Sequence, residues 1–182
     1  MNSVKHVVLG VTGGIAAYKA ADLVSKLTSK GVDVHVVMTE AAIKLVTPRT
    51  FQTLSRNNVT TSLWDVPDWK PEHVALGNLA DLMVIAPCTA NMLAKIAHGI
   101  GDDALSTCVL ANQSPLLVAP AMNPAMWNNP AVQANVEILK QRGVLFAGPV
   151  CGHVACGADG TGRMVEPVEI LEKILEILDV EK

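Results

Sequence analysis

Asn123, His73 and the segment from Cys156 to Arg163 carry the residue types in this chain best suited to chemistry on a small molecule. Asn123 sits in Pro120-Ala121-Met122-Asn123-Pro124-Ala125-Met126-Trp127, directly after the apolar run Leu116-Leu117-Val118-Ala119. A buried strand that ends in a proline-bracketed loop presents its polar residue at the carboxyl edge of a sheet, where open α/β folds bind ligands. Asn123 is thereby placed for recognition, while Met122, Met126 and Trp127 can wall a planar ligand, meet a second subunit or simply pack. His73, in Pro71-Glu72-His73-Val74, has the side chain of a proton carrier near neutral pH; a solvated loop histidine is the plainer alternative. Cys156-Gly157-Ala158-Asp159-Gly160-Thr161-Gly162-Arg163 is glycine-rich and lacks apolar periodicity. It reads either as an ordinary loop or as a flap that closes over a substrate, bringing a thiol acid and a guanidinium with it.

Anion recognition has its own candidate in Leu9-Gly10-Val11-Thr12-Gly13-Gly14-Ile15-Ala16-Ala17-Tyr18-Lys19, which is strand, glycine turn and helix start in succession. Glycines let the backbone approach an anion, and the amides of a helix N-terminus donate to it. The stretch matches neither the Gly-Lys-Ser/Thr nucleotide loop nor the full dinucleotide fingerprint, so a mononucleotide fits better. A tight turn with no ligand is equally compatible with the glycine pair. Thr89 and Asn91, in Ala86-Pro87-Cys88-Thr89-Ala90-Asn91, and Thr39, after Met38, add two more polar strand ends. Helix capping alone explains a threonine at such a position, but three polar strand ends on one edge suggest a crevice.

Five apolar runs of strand length must position these groups: Val7 to Val11, Val32 to Met38, Leu82 to Ala86, Leu116 to Ala119 and Val144 to Ala147. Most are continuous rather than alternating, as in strands buried on both faces of a parallel sheet. Helical patterns lie between them at Ile15 to Leu27, Ala90 to Ala97, Ala104 to Leu110 and Ala131 to Leu139, and Pro167 to Leu178 closes the chain. The alternation predicts a doubly wound, mostly parallel sheet in a three-layer α/β sandwich of the Rossmann or flavodoxin type. The least regular stretches are Asn57 to Gly77 and Val150 to Arg163.

With 182 residues, half of them hydrophobic and 17% charged, the chain is expected to form a single domain, residues 1–182, with a flexible substrate flap near 150–163. A net charge of -3 without a basic stripe argues against nucleic-acid binding. No apolar run reaches membrane-spanning length and no secretory signal is present, so a cytoplasmic protein with thiol rather than disulfide cysteines is expected. Cys151-Gly152-His153-Val154-Ala155-Cys156 lacks a second ligand pair for structural zinc, and no metal is expected. His6, His35 and His98 read as polar surface or satisfied core. Positive mean hydropathy with only 3% aromatic residues hints at apolar surface covered by sister subunits.

Taken together, Gly13 to Lys19, His73, Ala86 to Asn91, Pro120 to Trp127 and Ala155 to Arg163 resemble, in order and over nearly the whole chain, the homo-oligomeric flavin-containing cysteine decarboxylases. The resemblance implies FMN near Gly13, Gly14 and Ile15, with Thr39, Thr89 and Asn91 on its polar chain. It implies His73 as active-site base, Asn123 as the ligand of the substrate carboxylate with Met122 beside it, Cys156 as a proton donor and Arg163 as a weaker substrate contact. Cys88 and Met92 replace the alanine or serine and the threonine usual in the family's proline-led motif. The cysteine in the flap favours the coenzyme A branch, in which 4'-phospho-N-pantothenoylcysteine becomes 4'-phosphopantetheine through a thioaldehyde and an enethiol. The alternatives are a lantibiotic-type peptidyl-cysteine decarboxylase and a non-catalytic FMN-binding regulatory protein. The implied partners are a trimer or dodecamer of this chain and a separate phosphopantothenate-cysteine ligase.

Overall fold

The computed structural model describes residues 4–64, 72–153, 157 and 159–180. Six strands form one parallel sheet: β1 (His6–Val11), β2 (Asp33–Met38), β3 (Val59–Thr60), β4 (Leu82–Cys88), β5 (Leu116–Pro120) and β6 (Leu145–Phe146). Their order is β3-β2-β1-β4-β5-β6. The chain winds outward from β1 in one direction and from β4 in the other, so the order reverses between them. A crevice opens at the carboxyl ends of two such strands, because their connections leave toward opposite faces. A separate antiparallel pair, β7 (Val150–His153) and β8 (Asp159–Arg163), follows the sheet.

Helix α1 (Ala17–Ser29) buries Ala17, Ala20, Leu23, Val24 and Leu27, a stripe at helical spacing that packs on one face of the sheet with α3 (Pro48–Ser55) and α9 (Pro167–Ile177). Leu23 and Leu27 are almost wholly enclosed; burial of each such leucine contributes roughly 1.5–3 kcal/mol. The short α2 (Glu40–Ile43) follows β2. On the other face lie α4 (Glu72–Leu79), α5 (Ala90–His98), α6 (Ala104–Ala111) and α8 (Pro130–Gln141), covering a second core that includes Leu76, Met83, Ile85, Leu93, Leu105 and Leu139. The four-residue α7 (Pro124–Trp127) caps the end of β5. The expected three-layer sandwich is therefore present, with the Rossmann-type strand order.

Two stretches read from the sequence as irregular contain regular structure. Asn57 to Gly77 holds β3 and most of α4, and the ends of Val150 to Arg163 form the β7–β8 ladder. Glycines at alternating positions hid the ladder: Gly160 and Gly162 face Pro124 and Met122 so closely that a Cβ would collide with the loop after β5. No helix among the described residues is long and apolar enough to cross a membrane.

Candidate functional site

Four adjacent strands deliver the polar ends named from the sequence to one edge. β2 ends at Thr39, β1 at Thr12 to Ile15, β4 at Thr89 and Asn91, and β5 at Met122 and Asn123. Hydrogen bonds tie these ends together. Thr12 Oγ1 donates to the Pro87 carbonyl at 2.7 Å and accepts from the Thr89 amide at 3.1 Å, spanning the point where the strand order reverses. The Ala121 amide donates to the Cys88 carbonyl at 3.0 Å, and the Met122 amide to the Gly162 carbonyl at 2.9 Å. The edge is thus stapled from β1 through β4 and β5 to β8. Pairing between β4 and β5 shifts register between Ile85 and Cys88, and such a shift re-aims a strand end.

At the glycine turn, the Gly14 amide closes onto the Thr12 carbonyl at 2.8 Å and α1 begins at Ala17 with no side-chain cap and no acidic residue in its first turn. The helix thus starts two residues later than the sequence pattern predicts, because Gly14 to Ala16 form the turn. Unlike α1, helices α2, α5, α6, α7 and α8 all have side-chain caps. The Ala17 and Lys19 amides close onto the Gly14 and Ala16 carbonyls at 2.9 Å, and the partial positive charge of the helix start suits a phosphate. Gly13 is required by the fold, since a Cβ there would collide with Ala41 Cβ. Gly14 is not: a Cβ would meet Pro87 and Thr89 only at 3.6–3.7 Å. The lack of a side chain at Gly14 leaves its outer face open to a ligand. These features fit a mononucleotide cofactor such as FMN.

Thr39 and Thr89 both cap helices, accepting from the amides of Ala42 at 3.3 Å and Met92 at 3.4 Å. As acceptors in those bonds, both hydroxyls keep a proton with which to donate to a ligand. Asn91 stands exposed in the first turn of α5, and Ile15 is 63% exposed beside the glycine turn. Cys88 and Met92, the two departures from the motif, face the other way: both are buried in the second core, and burial pushes the Cys88 thiol far up. They shape packing under the turn, and the turn itself is intact.

Asn123 caps α7, its Oδ1 accepting from the Ala125 amide at 2.8 Å. That bond fixes the side chain at the strand end. Met122 and Trp127 are half-buried and pack against the second core. Arg163 ends β8, 44% exposed, with its guanidinium 3.9 Å from Glu166. Glu166 also holds Lys19 of α1 at 2.7 and 2.9 Å, linking the hairpin's end to the helix that starts at the glycine turn. His73 lies half-buried in the first turn of α4. That helix runs down to β4, which begins three residues after it ends, so its first turn points toward the carboxyl edge; no hydrogen bond among the described residues ties His73 to the strand ends. Cys156 lies outside the described residues.

Thr12 was missed as a site residue. It is 1% exposed, and its signal in the sequence was a hydroxyl at a strand end directly before two glycines.

Residues 1–179 match the family model described as Flavoprotein. A cysteine-to-serine variant of PPC decarboxylase, solved in complex with pantothenoylaminoethenethiol, superposes with a TM-score of 0.87 at 31% identity, covering 97% of this chain and all of that one. The FMN-dependent cysteine decarboxylase SpaF superposes with a TM-score of 0.81 at 35% identity, covering 97% and 98%. The chain belongs to the flavoprotein family. This flavoprotein is also 46% identical over 169 residues to the coenzyme A biosynthesis bifunctional protein CoaBC of Escherichia coli and 45% identical over 171 residues to that of Bacillus subtilis. Each match covers 92% of the flavoprotein and 42% of the relative, so the chain spans about two fifths of the length of these curated relatives.

Proposed function

We propose that this flavoprotein binds FMN along the carboxyl edge and decarboxylates 4'-phospho-N-pantothenoylcysteine to 4'-phosphopantetheine and CO2. The observation that supports the reading is the stapled edge, which ties the strand end before α1 to the Thr89 strand end and that, one strand on, to the loop leading to Asn123. Gly13, Gly14 and Ile15 would hold the cofactor phosphate through the turn and helix start, and the hydroxyls of Thr39 and Thr89 with the Asn91 amide would hold its polar chain. Bound FMN supplies a reversible two-electron acceptor, which lets the substrate pass through a thioaldehyde and then an enethiol without net oxidation.

The chain's own residues supply orientation and proton transfer. Asn123 Nδ2 donates to the substrate carboxylate and fixes its direction without adding a positive charge that would favour its retention. His73 accepts a proton from the thiol-bearing end of the substrate, a task for which imidazole is suited at neutral pH. Cys156 returns a proton to carbon when the enethiol is saturated. Arg163 reaches the substrate by leaving Glu166, an exposed pair whose loss costs little. Self-association would cover Ile15 and Tyr18, both more than 60% exposed beside the glycine turn.

The test is FMN-loaded protein mixed with the phosphorylated substrate. His73→Asn is expected to retain flavin and release no CO2, and Cys156→Ser to release CO2 yet stop at the enethiol. A protein that binds flavin but leaves the substrate untouched is a regulator, and the proposal fails.

A further inference from the structure

The parallel pairing of β1 and β2 sets His6 opposite Asp33 and Val8 opposite His35. Side chains two apart on a strand share a face. Val34 and Val36 enter the core under α1, while Val8 and Val37 enter the opposite one. His6, Asp33 and His35 therefore project together on the side of α4 to α6, at the amino edge of the sheet. Read one at a time, the two histidines were ordinary polar residues; only the strand register joins them.

Their geometry converges on one atom. His6 Nδ1 lies 3.0 Å and His35 Nε2 3.1 Å from Asp33 Oδ2, and the three atoms lie within 4.8 Å of one another. The other carboxylate oxygen is held separately: Asn57 Nδ2 donates to Asp33 Oδ1 at 2.7 Å and to the Val34 carbonyl at 3.0 Å. Asn57 thus fixes the carboxylate plane and leaves Oδ2 facing the two imidazoles, the outer-sphere support that orients a metal ligand. Zinc-ligand bonds of about 2.0–2.2 Å place tetrahedral ligands about 3.3–3.6 Å apart. The cluster needs to open by only a few tenths of an ångström at its two short edges. Each side chain is between 21% and 33% exposed, so solvent can reach the site and supply a fourth ligand.

We propose that His6, Asp33 and His35 bind one divalent transition-metal ion of the zinc, cobalt or nickel class. Two neutral imidazoles and one carboxylate suit that class: each ring takes the tautomer that carries its proton on the other nitrogen, so His6 Nδ1 and His35 Nε2 each offer the ion a lone pair. β1 separates this edge from the glycine turn by about 17 Å. The ion would clamp β2 to β1 and take no part in chemistry at the carboxyl edge, so the inference stands independently of the decarboxylase reading.

The experiment uses metal-stripped, FMN-loaded full-length protein with its thiols alkylated, titrated with Zn2+ by calorimetry. One equivalent is expected to bind, with Asp33→Asn and His35→Gln each weakening binding roughly tenfold or more while flavin content and circular dichroism stay unchanged. X-ray absorption at the zinc edge is expected to show two imidazole nitrogens. Should Asp33→Asn fail to fold, His35→Gln keeps the carboxylate and its Asn57 support and decides the matter alone. No stoichiometric uptake, undiminished affinity in His35→Gln, or a shell without two imidazoles would overturn the assignment.

Discussion

Thr12→Val keeps the shape of a buried side chain and removes the one hydroxyl that joins the ends of β1 and β4. The Pro87 carbonyl then loses its donor at 2.7 Å and the Thr89 amide its acceptor at 3.1 Å. Leaving a buried polar group unpaired costs about 1–3 kcal/mol. Thr89 is half-buried and its amide can recruit water, so its share lies at the low end and the two together come to about 2–4 kcal/mol. With a urea slope of about 2 kcal/mol per molar, the unfolding midpoint of the apoprotein falls by about 1–2 M. Because the same staple sets the spacing of the crevice, FMN affinity measured by flavin fluorescence should fall at least about tenfold, equivalent to about 1.4 kcal/mol. Thr12→Ser should recover most of both losses. An unchanged midpoint with unchanged flavin affinity in Thr12→Val would refute the argument that this hydroxyl organises the edge.

Gly13→Ala and Gly14→Ala should separate fold from ligand: the first drives a methyl into Ala41 and costs about 1–3 kcal/mol, while the second leaves apoprotein stability unchanged and weakens FMN binding, as urea melts and flavin titration will show. Burial raises the Asp103 carboxyl, but hydrogen bonds from Lys95 and from the Ser106 amide and hydroxyl, with the Lys95 charge, outweigh it and leave the group below its ordinary value. Its contribution is therefore complete above about pH 4 and is lost as pH falls through the lower folded value. Asp103→Asn should be less stable at pH 7 and show a shallower acid decline in melts taken across pH. Native alkylation followed by mass spectrometry should modify the exposed Cys151 and leave the buried Cys88 and Cys108 protected.

The layered fold was legible because β1, β2, β4 and β5 are mostly apolar and α1 and α9 carry clear helical stripes. β3 escaped notice because Val59–Thr60 is only two residues long, and the β7–β8 ladder because its glycines pack against the loop after β5 rather than a core. α3 escaped notice because it is eight residues long and mostly polar, burying only Phe51 and Ser55. Thr39, Thr89, Gly14 and Asn123 could be placed at one edge from their positions after strands. Thr12 stands at a legible strand end before two glycines, but its role as a bridge to residues 75 and 77 positions away depends on the pairing of β1 with β4. The same holds for His6, Asp33 and His35, whose meeting depends on register alone.

The product mass after incubating FMN-loaded protein with 4'-phospho-N-pantothenoylcysteine tests the central claim most directly. The account predicts the mass of 4'-phosphopantetheine, the substrate less CO2 with its thiol saturated. Unchanged substrate in the presence of bound flavin would contradict it.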